Sequence, residues 1–421
     1  MTKMLSRSTS LDSEDVRWPN TPFYIAPCIV HTVASHQPAV EAQVWSAQIS
    51  EALLEAEASR LRRAIRRTWN KFQGALAQTD KAYIRKLHIS AKAHSGECSR
   101  ERLAKLYTRH QHYFKNGMEI DPLKISPALI LVEPRTNWED LFRLSRAYWS
   151  IPYSRGYGRR LRFVVFDEYH EAVIGVIGLQ SPPADLACRD DLFEYPAGRK
   201  LELVNCMMDA YTIGAVPPYS GLLGGKLVAG LVAAEAIRQA YWRTYAGRKT
   251  LMQGKNLAQP LLAVTTASAF GRSSIYNRLR FRDRLLAEPI GYTKGFGTIH
   301  LEKLYPRIAG WLQARGEFIS GGFGHGPKVR WQNIQTALHR LGLPDKYLEH
   351  GLCREVFLIR HVSNLQNVIT ASALPQQISF QANEYSAYWK ERWALPRAHS
   401  RQDWRSQDGP SSILKAIKTL S

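Results

Sequence analysis

Two apolar runs held four residues apart constrain this chain more than any other feature. Residues 161–167 read LRFVVFD and residues 172–179 read AVIGVIGL, joined by Glu168-Tyr169-His170-Glu171. Each run has the length and the β-branched content of a strand, and the polar link makes them a hairpin. The stretch from Asp121 onward keeps this texture. Residues 128–133 (ALILVE) read as a short buried strand and 137–148 as an amphipathic helix. Residues 201–215 read as a long apolar strand that ends at Val216-Pro217-Pro218-Tyr219. Residues 221–245 read as a long helix opening with Gly221, Gly224 and Gly225. A strand at 260–266 (PLLAVTT), a short helix at 273–279 and closing strands at 285–292 and 297–301 complete the block. The expected class is α/β (α+β), with a mixed-sheet core at 121–302.

The flanks read differently. Four prolines, Pro19, Pro22, Pro27 and Pro38, make residues 1–38 irregular. In 39–120 the pattern is helical, with Ile49, Leu53, Leu54, Ala58 and Leu61 at three- and four-residue steps. Residues 303–396 are expected to be helical, at 304–316, 331–343 and 356–371, around a flexible glycine-rich loop at 321–327. Residues 397–421 are expected to be a polar, mobile tail. A chain of 421 residues is expected to build two or three cores.

Charge is the second constraint. Lys and Arg number 57 against 36 Asp and Glu, a formal net charge of +21. Between Arg60 and Lys115 there are fifteen bases and three acids, so this stretch alone supplies +12. Trp69, Tyr83, Tyr107, Tyr113 and Phe114 are interleaved with them. Such an excess attracts polyanions, with nucleic acid as the first candidate partner and DNA placed ahead of RNA. Arg62, Arg63, Arg66 and Arg67 are the bases expected to contact phosphate. The loop SRGYGRR adds Arg155, Arg159 and Arg160 around Tyr157, a pattern suited to phosphate contact with base stacking.

No signal peptide is visible, and the longest apolar stretch, 222–237, is interrupted by glycines, Lys226 and Glu235. No membrane association is expected, and a cytoplasmic location follows by elimination. Cys28, Cys98, Cys188, Cys206 and Cys353 stand far apart, which argues against a zinc knuckle or a disulfide framework.

The element order of the core resembles the GCN5-related acetyltransferase fold. Gly175 and Gly178 in VIGVIGL, the turn VPPYSGLLGGKLV and the segment SSIYNRLRF carry that likeness. Longer phrases resemble the DUF4338 family, renamed for Druantia DruA. They are YWSIPYSRGYGRRLRFVVFDE, MMDAYTIGAVPPYSGLLGGKLVAGL, TTASAFGRSSIYNRL and IGYTKGFGTIHL. The resemblance implies a role in defence against phage, beside partner proteins that include a helicase-like one.

Several residues could carry chemistry. Gly221, Gly224, Gly225 and Lys226 open a helix where a phosphate-bearing cofactor or a nucleic-acid backbone could sit, and close helix packing would need the same glycines. The turn departs from the acetyltransferase signature Q/R-x-x-G-x-G/A, so no cofactor is assigned. Arg272 follows a strand end and offers a planar fork for phosphate. Asp209, inside an apolar strand, is the leading functional carboxylate. With Asp167, Glu168 and Glu202 it could hold Mg²⁺ only if the fold gathered them, and no metal site is assigned. The acetyltransferase likeness puts Tyr276 where a proton donor to a departing thiolate would stand. His300, on an expected strand, is a candidate base. The leading function is nucleic-acid binding within a defence system. A metal-dependent nuclease or transposase-like enzyme and an acyltransferase-like group-transfer enzyme are the alternatives.

Overall fold

A computed structural model describes residues 39–78, 80–94, 99–151, 158–250, 253–257, 260–320 and 327–420. By contact it divides into a unit at 1–52 and a unit at 53–421, and all that follows concerns the second. The helices and strands run in this order: α1 (Ala39–Ala77), α2 (Lys81–His94), α3 (Arg100–His110), β1 (Pro127–Leu131), α4 (Asn137–Ala147), β2 (Arg160–Asp167) and β3 (Ala172–Gln180). Then come α5 (Ala187–Asp190), α6 (Lys200–Val204), β4 (Met207–Ala215), α7 (Gly224–Leu231), α8 (Glu235–Tyr245) and β5 (Ala263–Ala267). The chain continues through β6 (Arg280–Phe281), β7 (Arg284–Leu285), β8 (Glu288–Tyr292), α9 (Tyr305–Ala314), α10 (Pro327–Arg340), β9 (Glu355–Arg360) and α11 (Leu365–Ala371). Last are α12 (Ala382–Trp389), a π-helical turn at Lys390–Ala394, α13 (Leu395–Ser400) and α14 (Gly409–Lys418).

Among the described residues the main sheet holds seven strands in the order β1-β2-β3-β4-β5-β9-β8. The hairpin forms as expected, β2 against β3, with Val164 opposite Val176. Every pairing is antiparallel except β4 with β5, where Asp209 lies beside Thr265. A parallel pair needs a crossover, which α7 and α8 supply. The two strands stay paired only from Met207 to Ala210; beyond that β4 runs on beside β3 alone.

Both faces of the sheet are covered. On one, α7, α8 and α12 pack Leu227, Val228, Ile237, Tyr241 and Tyr385 against Val264, Phe357 and Ile359. On the other, α3, α4 and α14 cover Val164, Phe166 and Val176, while α6 and α11 cover Met207, Ala263 and Leu358. A separate apolar cluster joins Ala58, Leu61 and Ile65 of α1 to Ile308, Trp311, Ile334 and Leu338 of α9 and α10. No described helix is long and apolar enough to cross a membrane.

The mixed α/β class holds, and six local expectations are corrected. Residues 397–421 are not a mobile tail, since α14 buries Ile413 and Ile417 in the cluster with α3 and α4. Residues 356–371 do not form one helix: β9 is a strand between β5 and β8, and only α11 follows as helix. Residues 201–215 begin as α6 before β4 starts. The expected helix at 221–245 is two helices broken at 232–234. Residues 297–301 are not a strand, and 273–279 form turns rather than a helix.

Candidate functional site

The strand ends of β3, β4 and β5 bring three polar side chains to one face of the sheet. Asp209 accepts a hydrogen bond from Thr265 Oγ1 at 2.9 Å and from Gln180 Nε2 at 3.2 Å. Side chains alternate along a strand, so Met207, Asp209 and Thr265 share the face lined by Leu358. Two strand positions before Val356, Arg354 extends the same face. Burial pushes the Asp209 carboxyl up, against the pull of its two hydrogen bonds and of Arg354 and Arg189. Burial also pulls Arg354 down. Among the described residues no ion pair links Arg354 to Asp209, yet both side chains keep part of their surface open. The arrangement is an acid held by neutral partners with a guanidinium within electrostatic reach. Sequence reasoning found Asp209 but missed Arg354 and Gln180, because their strands meet β4 only in three dimensions.

Tyr276 and His300 stand elsewhere. The Tyr276 hydroxyl lies 3.5 Å from Thr266 Oγ1, and its ring packs on Phe357 with centroids 4.9 Å apart. Thr266 points to the face opposite Thr265, so Tyr276 approaches the sheet from the other face. Burial pushes its hydroxyl up to about 12, and the Asp209 charge is near enough to add to the rise. His300 lies next to the 3₁₀ turn Glu302–Leu304 and donates from Nε2 to the Tyr347 carbonyl at 2.8 Å, beside Phe72. Burial pulls it down to about 4, so it is neutral at pH 7. The three candidate catalytic residues therefore do not converge.

The glycine turn is closed by the protein itself. A Cβ on Gly221 would lie 2.6 Å from Trp404 Cβ, and one on Gly224 would lie 2.7 Å from the Tyr219 carbonyl oxygen. Gly225 has room, facing Ile275 at ordinary contact distance. Trp389 Nε1 donates to the Leu223 carbonyl, and Arg397 Nε to that of Gly221. Lys226 Nζ lies 3.1 to 3.3 Å from the carbonyls of Ser274, Ile275 and Asn277. The close helix packing weighed for these glycines accounts for Gly221 and Gly224. Arg272 is exposed after Gly271, whose φ of +85° needs no side chain.

Among the described residues no three His, Cys, Asp or Glu side chains gather to hold a metal ion. Asp167 is fully buried and accepts from Ser126 N, His170 Nδ1 and Tyr219 Oη; Glu202 pairs with Arg199.

The basic residues separate into two kinds. Arg62 is tied down, donating from Nε to the Leu341 carbonyl at 2.9 Å and pairing with Glu55 at 2.8 Å. Arg159 is also used inside the fold: it donates to Tyr241 Oη at 2.6 Å and lies over the Tyr245 ring. Arg160 joins Tyr245 through its backbone. Arg155 lies outside the described residues. Arg63, Arg66 and Arg67 are exposed, and among the described residues none has a carboxylate within ion-pair distance. Their i, i+3, i+4 spacing puts them on one face of α1, opposite the stripe Ala58, Leu61 and Ile65. On α3, Arg102, Lys105 and Arg109 form a second exposed row that the sequence reading counted but did not place.

The family model described as Druantia protein DruA matches residues 78–371. The Druantia protein DruA of Escherichia coli (strain UMEA 4076-1) is 36% identical over 331 residues, covering 77% of this chain and 82% of that protein. No solved structure matches.

Proposed function

We infer that this chain, which belongs to the Druantia DruA family and is a component of an anti-phage defence system, works there by holding nucleic acid on the outer faces of its basic helices. The observation that carries this reading is the unpaired row Arg63, Arg66 and Arg67. A salt bridge would neutralise such a row if its role were structural, as Glu57 and Glu55 do for Arg60 and Arg62. Left without acids, it offers three positive charges on one helix face to a phosphate backbone. The same holds for Arg102, Lys105 and Arg109 on α3. Contacts of this kind position a protein on the polymer and carry no sequence information. Choice of target would then come from partners of the same system, a helicase-like protein among them. The test is fluorescence anisotropy with labelled single-stranded DNA, duplex DNA and RNA of several sequences. Arg63→Gln/Arg66→Gln/Arg67→Gln weakens binding alike on every sequence. Equal binding by the variant and the parent chain would sink the reading.

The cluster of Asp209, Gln180, Thr265 and Arg354 favours a second reading, in which the core also moves a proton. A carboxyl that burial makes hold its proton more tightly, near a guanidinium, is a general acid–base pair in form. Asp209→Asn keeps the shape and removes the proton chemistry. Phage protection lost in cells with this variant, while its DNA affinity stays at the parent value, is the expected result. Full protection by Asp209→Asn would remove the reading.

A further inference from the structure

A cavity of about 520 Å³ opens beside the first turn of α7, and neither Asp209 nor the α1 row lines it. Its walls are the turn carrying Asn277, Arg278 and Arg280, the side chain of Lys226, Tyr388 of α12, and Arg392 and Trp393 of the π-helical turn. No carboxylate lines it. Arg278, Arg280 and Arg392 are exposed, and among the described residues none has an ion-pair partner; Arg280 donates only to the Asp283 carbonyl. Nearby Arg282 is the contrast, since Glu384 neutralises it at 2.9 Å. Three exposed guanidiniums thus line one hollow with no acid among its walls, a concentration of positive charge that draws anions. The fold accepts a cost there: Arg278 has φ of +56°, a conformation side chains rarely take.

The other wall is aromatic. Tyr388 and Trp393 meet edge to face with centroids 5.4 Å apart, and Lys226 Nζ lies 5.5 Å from the Trp393 ring centroid. Because Lys226 spends its protons on the carbonyls of Ser274, Ile275 and Asn277, it braces the turn that carries Arg278 and leaves the ligand to the arginines. Planar forks bind phosphate oxygens in pairs, and an indole face stacks a base. The volume lies in the range of small-ligand pockets.

The geometry points to a nucleotide-binding site in this cavity, in which Arg278, Arg280 and Arg392 hold the phosphate and Trp393 with Tyr388 holds the base. One chemistry has two sources, a free nucleotide or the phosphorylated end of a single strand. Calorimetry on the full chain distinguishes them with AMP, ATP and a 5′-phosphorylated tetrathymidylate, and with adenosine and pyrophosphate as half-ligands. At least one phosphorylated nucleotide binds, and both half-ligands bind at least about tenfold more weakly than it does. Tighter binding of AMP or ATP assigns the site to a free nucleotide; tighter binding of the tetranucleotide assigns it to a strand end. Arg392→Ala and Arg278→Gly each weaken binding by about tenfold, the worth of a charged hydrogen bond. Glycine accepts the φ at position 278, so that variant folds. Trp393→Leu weakens the nucleotide and leaves pyrophosphate as it was. No heat from any nucleotide, affinity unchanged by the arginine variants, or pyrophosphate binding as tightly as AMP would each overturn the assignment. AMP carries too little charge to report on the rows of α1 and α3, so this result stands or falls apart from duplex binding.

Discussion

Asp209 shows what a single residue reveals in one dimension and what it hides. An acid in the apolar run MMDAYTIGA signals a carboxylate set among apolar neighbours, and Asp209 is one, half-buried in β4 with its pKa raised by desolvation. Its partners come from β3 and β5 and from the stretch before β9, so no spacing in the sequence announces them. Because the folded pKa is raised, the folded state holds the proton longer than the unfolded one. The carboxyl therefore costs stability as pH rises past its unfolded value near 3.8. The melting temperature of Asp209→Asn should gain on that of the parent between pH 4 and pH 7, and a constant difference would contradict the assignment. The histidines work in the opposite sense. His88, His300 and His350 are each pulled down to about 4 by burial first, with Arg354 and Arg85 adding to it at His88, and His300 and Arg354 adding to it at His350. Their stability is complete above the unfolded value of 6.5 and is lost as pH falls from there toward 4. A melting series from pH 7.5 to pH 5 should decline by about 1–2 kcal/mol per histidine at the acid end. A flat series would mean that these rings are solvated.

At the scale of elements, legibility followed pattern length. The β2–β3 hairpin and α4 were readable because each carries one periodicity with polar residues at its ends. Residues 356–371 were not, because the strand EVFLIR runs into the helix LQNVITA with only a short polar break, and the joined stretch imitates one helix. β9 owes its conformation to its place between β5 and β8, which no local pattern encodes. Phe357 tests this place. It is fully buried against Tyr276 in the core of the sheet, so Phe357→Ala should cost about 3–5 kcal/mol in denaturant unfolding. A loss of the size seen for surface residues would contradict an interior strand. The helix expected at 221–245 breaks at Val232-Ala233-Ala234, residues with no breaker among them. There the turn to α8 is set by packing, and Glu235 N donates to the Phe380 carbonyl.

At the scale of the whole molecule, family phrases and charge occupy different regions, and the structure gives that separation a physical form. The phrases that resemble DruA build the sheet and the helices against it. The basic surplus lies on α1, α2 and α3, whose apolar sides are buried and whose unpaired rows face outward. Counting bases could not tell Arg62 and Arg159, which the fold consumes, from Arg63, Arg66 and Arg67, which it leaves available. That distinction is the central claim, and the salt dependence of duplex DNA affinity tests it most directly. Each phosphate contact adds about 0.9 to the slope of log affinity against log salt concentration. The parent chain should show a steep linear fall, and Arg63→Gln/Arg66→Gln/Arg67→Gln should be shallower by about 2–3. An affinity that ignores salt, or a variant whose slope equals that of the parent, would contradict the account.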